Sequence, residues 1–224
     1  MSVIYLIGDS TVENGAEPFH GWGWALGDYV TARVDNRALG GRSSRSFRDE
    51  GLFEPVRAAL RPGDVLVIQF GHNDEKDDPA RHTAPESSFP QILGEYCEAA
   101  LAAGALPVLC TPVCRRYFLD DGTLLYTHGE YPAAVRRLAA QTGVPLCDLQ
   151  RETRTLYRRL GPGGTAKLFV RLRAGEHPDF PQGCDDHTHF NGEGARRTAA
   201  LAAGLMARDE RLRPYVRLTE GLTL

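Results

Sequence analysis

Three segments of the sequence, two of them apolar runs and one loosely alternating, end in residues of the types that acyl transfer requires. They are followed by Gly8-Asp9-Ser10-Thr11, Gly40-Gly41-Arg42-Ser43 and Gly71-His72-Asn73-Asp74. A serine hydroxyl can serve as a nucleophile. A glycine lets a substrate approach its backbone N–H closely, and an asparagine amide is a second donor for a developing oxyanion. If the three segments are parallel strands, these groups meet at one edge of a sheet, where such folds bind their ligands.

The missing part of such a site is a base, and residues 185–191 can supply it. This segment has the sequence Asp-Asp-His-Thr-His-Phe-Asn and is expected to be a loop directly before the last helix. If the loop folds back over the sheet edge, His189 can take the proton of Ser10, while a carboxylate holds the imidazole in the right tautomer. The three-residue offset favours Asp186 for that role, with Asp185 as its rival.

The same segment could instead be a metal site, since it holds two histidines and two carboxylates. A zinc site needs further ligands at recognisable spacing, and the sequence offers none. We therefore predict no metal, and we expect His187 to take no part in the chemistry.

Five short segments are predicted to be strands. Residues 33–39 alternate loosely, and the others are near-continuous apolar runs, which suit a parallel sheet that is buried on both faces. The five segments cover residues 3–7, 33–39, 64–70, 106–111 and 145–149. Helical spacing predicts helices over 87–104 and 132–143, and Asn191 can cap a last helix over 192–208. The stretches 161–164 and 176–183 contain clustered Pro and Gly and are predicted to be loops.

Strands alternate with helices along the chain, which indicates a doubly wound α/β fold. The length of 224 residues leaves little room for a second domain. We therefore expect a single three-layer α/β/α domain over residues 1–224, with a five-stranded parallel sheet that brings the three motifs to one edge.

Composition excludes several classes of protein. The net charge of −3 argues against a nucleic-acid binder, because neutralising phosphates requires a basic surface. No apolar run approaches the roughly 20 residues of a membrane span, and residues 3–7 are too short for a signal peptide, so a cytoplasmic protein is expected. Cys97, Cys110 and Cys147 lie in apolar helix or strand patterns and are expected to be buried, reduced thiols.

The four motifs together resemble those of the SGNH (GDSL-type) hydrolase superfamily, which is named for its Ser, Gly, Asn and His. The matching blocks are Gly8-Asp9-Ser10, Gly41, Gly71-x-Asn73-Asp74 and Asp186-x-x-His189, in that order. The resemblance extends over nearly the whole chain. It implies the flavodoxin-like fold of that superfamily.

Within the superfamily the chain most resembles the rhamnogalacturonan acetylesterase family. The shared features are Thr11 after the nucleophile, Gly41-Arg42-Ser43-Ser44-Arg45-Ser46, Gly71-His72-Asn73-Asp74 and Asp186-His187-Thr188-His189-Phe190. This resemblance implies removal of acetyl groups from pectic or related sugars without a cofactor. It implies a triad of Ser10, Asp186 and His189. The oxyanion hole would consist of the Ser10 and Gly41 backbone N–H groups and the Asn73 amide.

The expected partner is a small-molecule or oligosaccharide ester, and neither nucleic acid nor membrane. Secreted members of the family act on polymer, whereas no export signal is evident here, which favours imported oligosaccharides. Trp22 could stack on a sugar ring. Arg42, Arg115 and Arg116 follow the ends of the second and fourth strands and could pair with a uronate carboxylate.

Two other functions are considered. A lipid or thioester hydrolase on the same scaffold would need an apolar acyl groove, and the sequence instead places arginines, tryptophans and glycines near the predicted edge. A non-catalytic carbohydrate-binding protein derived from an esterase is disfavoured, because every triad and oxyanion residue is present.

Overall fold

The computed structural model describes residues 2–217, and its centre is a parallel sheet of five strands. The strands are β1 (Val3–Gly8), β2 (Arg33–Asn36), β3 (Val65–Gln69), β4 (Leu106–Cys110) and β5 (Leu146–Cys147). They lie in the order β2-β1-β3-β4-β5, which is the flavodoxin-like arrangement. The predicted α/β class is confirmed. β2 and β5 are shorter than predicted, and β5 pairs with β4 through two residues.

Helices cover both faces of the sheet. They are α1 (Ser44–Asp49), α2 (Glu54–Ala59), α3 (Ser88–Ala102), α4 (Tyr131–Thr142), α5 (Leu149–Ala166) and α6 (Gly192–Met206), with 3-10 turns at Trp22–Asp28 and Arg213–Tyr215. Alternate residues of β1 point to opposite faces, because successive side chains of a strand do so. Ile4 and Leu6 join the core beneath α5 and α6, and Tyr5 and Ile7 join the core beneath α1 to α4.

The predicted helices are confirmed as α3, α4 and α6, whereas α1, α2 and α5 were not predicted. The predicted loop over 161–164 is wrong, because these residues lie within α5. Gly161 interrupts that helix with a φ of 66°, a conformation that glycine adopts readily. Pro162 follows at once, and a proline is compatible with the first turn of a new helical stretch.

The segment predicted as a loop before the last helix is also different. It forms strand β7 (Cys184–Phe190), which pairs antiparallel with β6 (Phe169–Leu172). The ribbon is anchored where Phe169 and Phe190 pair, with ring centroids 5.2 Å apart in the core. No strand is predicted here, because β7 is polar along most of its length.

Two further expectations concern the whole chain. All five cysteines of the sequence lie in the described part of the chain and are free thiols, and Cys97, Cys110 and Cys147 are buried as predicted. None of the helices within residues 2–217 is long and apolar enough to cross a membrane. Met1 and residues 218–224 lie outside the described residues, so a single domain over 1–224 stays a prediction.

Candidate active site

The turn after β1 presents Ser10 at the carboxyl edge of the sheet. The Asp9 carbonyl accepts hydrogen bonds from the backbone N–H groups of Val12 and Glu13, both at 3.0 Å. Ser10 therefore lies within a hydrogen-bonded turn. The Asp9 carboxylate accepts from the Thr11 backbone N–H at 2.9 Å and from its hydroxyl at 2.7 Å. Asp9 therefore stabilises the turn and does not contact Ser10 through its side chain.

Strand β7 brings a histidine and a carboxylate to that serine. Ser10 Oγ lies 3.0 Å from His189 Nε2, and His189 Nδ1 lies 2.8 Å from Asp186 Oδ2. The other oxygen of Asp186 accepts the backbone N–H groups of Thr188 and His189, at 2.6 and 2.7 Å. The carboxylate is thereby fixed against its own strand. This explains how Asp186 can reach the ring of His189, only three residues further along the chain.

Asp185, the rival carboxylate, points elsewhere. Its Oδ1 pairs with Arg116 and lies 3.1 Å from Arg171 Nε. The geometry therefore associates Asp186, and not Asp185, with the imidazole.

The local charges suit a histidine base. Burial alone would raise the pKa of Asp186, but hydrogen bonds from the His189 ring and from two backbone N–H groups outweigh it and lower that pKa to about 2. Burial alone would lower the pKa of His189, but the hydrogen bond and charge of Asp186, helped by Asp9 and Glu13, raise it above its ordinary value. Asp186 thus stays ionised when His189 receives a proton.

The two predicted oxyanion donors outside β1 are held together. Asn73 is buried, and its Nδ2 donates to the carbonyl of Arg42, the residue after Gly41, at 3.0 Å. This bond uses one of the two amide hydrogens and leaves the other for a ligand. Gly41 has a φ of 77°, and a Cβ there would meet nothing within 4 Å. The backbone conformation, and not lack of space, therefore favours glycine.

Replacing Asn73 with alanine is expected to lower kcat about 100- to 1000-fold with little change in KM, because an oxyanion donor acts mainly in the transition state. Hydrolysis of 4-nitrophenyl acetate measures this. Gln91→Ala is the control, since the exposed Gln91 amide bonds to Glu95 on the surface of α3. Equal activity of the two variants would remove Asn73 from the oxyanion hole.

Asp74 braces the segments that carry the predicted oxyanion donors. It is fully buried, and its carboxylate accepts from the backbone N–H groups of Ser44 and Gly71 and from the Thr83 hydroxyl, each at 3.0 Å, and from the Ser44 hydroxyl. Burial raises the pKa of Asp74 to about 7, against the lowering effect of the Ser44 and Thr83 bonds. The carboxyl group joins the turn after β3 to the start of α1.

We expect Asp74→Ala to lower the free energy of unfolding by about 3 kcal/mol or more, because each buried donor left without an acceptor costs about 1–3 kcal/mol. Urea unfolding followed by circular dichroism measures this. Asp77→Ala removes an exposed carboxyl group from the same loop and serves as the control. Similar unfolding midpoints for both variants would contradict the bracing role.

The sugar-stacking role predicted for Trp22 is wrong. Its indole is fully buried, and its Nε1 donates to Gln69 Oε1 at 2.9 Å. Gln69 in turn donates to the Thr11 hydroxyl at 2.7 Å. Trp22 therefore supports the turn that carries Ser10 from within the core. Its indole begins a chain of hydrogen bonds that runs through Gln69 and Thr11 to Asp9.

The predicted uronate-binding arginines are occupied by acidic partners within the chain. Arg42 Nε bonds to Glu50 at 3.0 Å, Arg115 pairs with Glu75, and Arg116 pairs with Asp185. The side chains of Arg115 and Arg116 are only 12% and 9% exposed. Arg116 also donates to the backbone carbonyl of Asp186 at 3.1 Å, so it positions the strand that carries the acid. The structure does not gather these arginines into one carboxylate-binding site.

Sequence reasoning missed two features of the site. His72 is buried, with its Nδ1 3.4 Å from Asp9 Oδ2, so its ring lies between the loop that carries Asn73 and the turn that carries Ser10. The second feature is a cleft of about 550 Å³ beside Ser10 and His189. The loops 13–19 and 177–180 form most of its wall. They are far apart in sequence and carry no motif that would have indicated their meeting.

No group of three or more His, Cys, Asp or Glu side chains within residues 2–217 is arranged to hold a metal ion. His187, which was expected to be a bystander, stacks on Tyr117 with ring centroids 4.8 Å apart.

A serine, a histidine and an aspartate in hydrogen-bonded order at the carboxyl edge of a flavodoxin-like sheet define the architecture of an ester hydrolase. The sequence model of the GDSL-like Lipase/Acylhydrolase family matches residues 6–197. The chain belongs to this family and is a carboxylic ester hydrolase.

Individual relatives agree with this assignment. The chain is 41% identical to the rhamnogalacturonan acetylesterase RhgT of Bacillus subtilis (strain 168), over 89% of this chain and 87% of that protein. It is 31% identical to the rhamnogalacturonan acetylesterase of Emericella nidulans, over 86% of this chain and 79% of that protein. The crystal structure of protein YxiM of Bacillus subtilis has a TM-score of 0.78 at 29% identity, and covers 92% of this chain and 56% of that one.

Proposed function

We propose that this protein removes O-acetyl groups from carbohydrate through a Ser10–His189–Asp186 triad and an acetyl-enzyme intermediate. The observation that carries the proposal is the continuous path from Ser10 Oγ to His189 Nε2, at 3.0 Å, and from His189 Nδ1 to Asp186, at 2.8 Å. The choice of acyl group and alcohol is supported by relatives that are named rhamnogalacturonan acetylesterases.

In the first half of the reaction, Ser10 Oγ attacks the acetyl carbonyl while His189 Nε2 takes its proton. The oxyanion forms among the backbone N–H groups of Ser10 and Gly41 and the free N–H of Asn73. His189 then gives the proton to the leaving sugar oxygen as the C–O bond breaks, which leaves acetate esterified to Ser10. Asp186 remains ionised throughout and stabilises the imidazolium.

In the second half, water takes the place of the sugar, and His189 Nε2 removes its proton as the oxygen attacks the acetyl carbonyl. A second tetrahedral oxyanion forms in the same hole. Its collapse breaks the bond to Ser10, and the proton on His189 returns to Ser10 Oγ. Acetate and free enzyme result, and the reaction requires no cofactor.

The experiment is a screen for acetate release from acetylated rhamnogalacturonan, xylan and chitin fragments, with Ser10→Ala protein as the control. We expect Ser10-dependent release from at least one fragment, with rhamnogalacturonan oligosaccharides as the first choice. No release from any of them, with 4-nitrophenyl acetate still hydrolysed, would contradict a carbohydrate substrate.

The alternative is a hydrolase of lipid esters or thioesters. The cleft beside His189 argues against it, because carboxylates of Glu13, Glu17 and Asp179 interrupt its apolar surface. Rates on 4-nitrophenyl acetate and octanoate separate the two functions, and a preference for octanoate would favour the alternative. Labelling of Ser10 by a fluorophosphonate would exclude a protein that only binds carbohydrate.

A further inference from the structure

Two buried side chains directly precede the nucleophile and the asparagine of the predicted oxyanion hole. Asp9 comes before Ser10 and is fully buried, and His72 comes before Asn73 and is 2% exposed. Asp9 Oδ2 lies 3.4 Å from His72 Nδ1, and neither atom has any other hydrogen-bond partner within residues 2–217. The two segments that carry the reacting groups therefore meet at a buried contact between a carboxylate and an imidazole.

The charge of Asp9 decides the direction of this contact. Burial alone would raise the pKa of Asp9, but the approach of His72 and hydrogen bonds from Thr11 lower it, so the carboxylate is ionised at neutral pH. Its Oδ1 accepts the Thr11 N–H and hydroxyl, whereas Oδ2 has His72 as its ion-pair partner. An ionised carboxylate can only accept, and a buried charge without a partner is costly. His72 Nδ1 must therefore present its hydrogen to Oδ2.

A second buried histidine packs on the same ring. His128 stands perpendicular to His72, with centroids 4.5 Å apart and planes at 86°. Burial lowers the pKa of His128 well below its ordinary value, so this ring is neutral. Its Nδ1 lies 3.2 Å from the hydroxyl of Thr127. His128 is thus a packing neighbour of His72, equally buried but not paired with Asp9.

Asp9 controls the direction of the Ser10 backbone N–H. The peptide bond between the two residues is planar and trans, so this N–H points away from the Asp9 carbonyl. That carbonyl faces into the turn, where it accepts from Val12 and Glu13. The Ser10 N–H is thereby directed out of the turn. The Asp9 side chain, held at both oxygens, restrains rotation of this peptide plane.

His72 stands in the same relation to the second donor. The His72 carbonyl accepts from Arg115 Nη2 at 3.3 Å, and the Asn73 amide donates to the carbonyl of Arg42 at 3.0 Å. These bonds attach the loop to its neighbours on the oxyanion side. The contact with Asp9 attaches it to the turn that carries the nucleophile. A displacement of about 1 Å between reacting groups can cost about 100-fold in rate, so this attachment matters for catalysis.

We propose that His72 is a positioning residue, which donates from Nδ1 to Asp9 Oδ2 and thereby fixes the Ser10 N–H and the Asn73 amide relative to each other. This role rests on the proposed triad and oxyanion hole, and it adds a residue that supports them. Oxyanion donors act mainly in the transition state. Loss of His72 should therefore lower kcat and leave KM nearly unchanged.

Two amide substitutions test which ring nitrogen matters. The side-chain nitrogen of an asparagine can take the place of Nδ1, and that of a glutamine the place of Nε2. On 4-nitrophenyl acetate, His72→Asn should keep kcat within about fivefold of the unmodified protein, whereas His72→Gln should lower it about 100-fold with KM within about threefold. Equal kcat values for the two variants would contradict donation from Nδ1.

A pair of leucine variants separates positioning from packing. His72→Leu should lower kcat about 100-fold, like His72→Gln, whereas His128→Leu should keep it within about fivefold. Urea unfolding midpoints establish that both proteins are folded, and both midpoints may fall because each substitution alters the same buried cluster. Similar losses of kcat in the two folded variants would mean that His72 only fills space, and would overturn the proposal.

A double-mutant cycle tests whether His72 acts through Asp9. Asp9→Asn keeps an oxygen for Thr11 but removes the charge that faces His72. Residues that share one interaction give losses that do not multiply. Asp9→Asn/His72→Leu should therefore have a kcat within about threefold of the less active single variant. Losses that multiply would show that the two residues act independently, which would overturn the proposal.

Ser10→Ala distinguishes a failure of this inference from a failure of the proposed function. If Ser10→Ala abolishes hydrolysis while His72→Asn and His72→Gln are equally active, the triad stands and the positioning role of His72 fails. If Ser10→Ala retains near-normal activity, the triad itself fails, whatever the His72 variants show.

Discussion

Ser10→Ala protein is expected to hydrolyse 4-nitrophenyl acetate with a kcat on the order of a million-fold below that of the unmodified protein, as serine hydrolases do when the nucleophile is removed. The neighbouring Thr11 hydroxyl cannot replace it, since it is buried and bonded to Asp9. The fold should be unaffected, because the Ser10 hydroxyl contacts His189 and supports no core packing.

The control for this variant is Ser87→Ala. Ser87 is exposed and makes no capping hydrogen bond to α3, so we expect full activity. Unfolding midpoints in urea establish that both variants remain folded. A folded Ser10→Ala protein that retains near-normal esterase activity would refute the whole mechanism.

Asp186→Asn is expected to lower kcat about 10,000-fold, because an amide cannot stabilise the imidazolium and favours the wrong tautomer of the histidine. Asp185→Asn is the matched control, since Asp185 pairs with Arg116 and Arg171 and not with the base. Its kcat should stay within about tenfold of the unmodified protein. The reverse order of effects would show that the orienting acid has been misassigned.

The same variant predicts a change in pH dependence. Only the neutral imidazole accepts the serine proton, so kcat/KM rises as pH increases through the pKa of His189. In the unmodified protein this rise should be centred above pH 6.5, because Asp186 outweighs the effect of burial and raises that pKa. In Asp186→Asn the residual activity should rise at lower pH. A pH–rate profile whose midpoint does not move would contradict the coupling of the two groups.

Much of the site could be predicted because its positions coincide with local sequence signals. Ser10, Gly41 and Asn73 each follow the end of a predicted strand, and a parallel sheet brings such ends to one edge. The histidine and the aspartate were recognisable from their spacing. Their position on a strand was not recognisable, because β7 pairs with β6 through backbone groups and shows no apolar alternation.

Other errors came from contacts that are distant in sequence. Arg115 and Arg116 looked available for a substrate, yet their carboxylate partners Glu75 and Asp185 lie 40 and 69 positions away. Trp22 looked accessible in a glycine-rich stretch, but Gln69 of β3 binds its indole in the core. The cleft beside His189 is formed by two loops that only the folded chain brings together.

The strand character of β7 has a consequence for the dynamics of the reaction. β6 pairs with this strand, and the backbone N–H groups of Arg116 and His20 also donate to the carbonyls of His187 and Phe190, at 2.7 and 3.0 Å. The conformational entropy of the base and its acid is therefore lost during folding and not in each turnover. Because the base and its acid are already in place, we expect the rate of acylation to be insensitive to solvent viscosity, and the amide hydrogens of β7 to exchange slowly even without substrate.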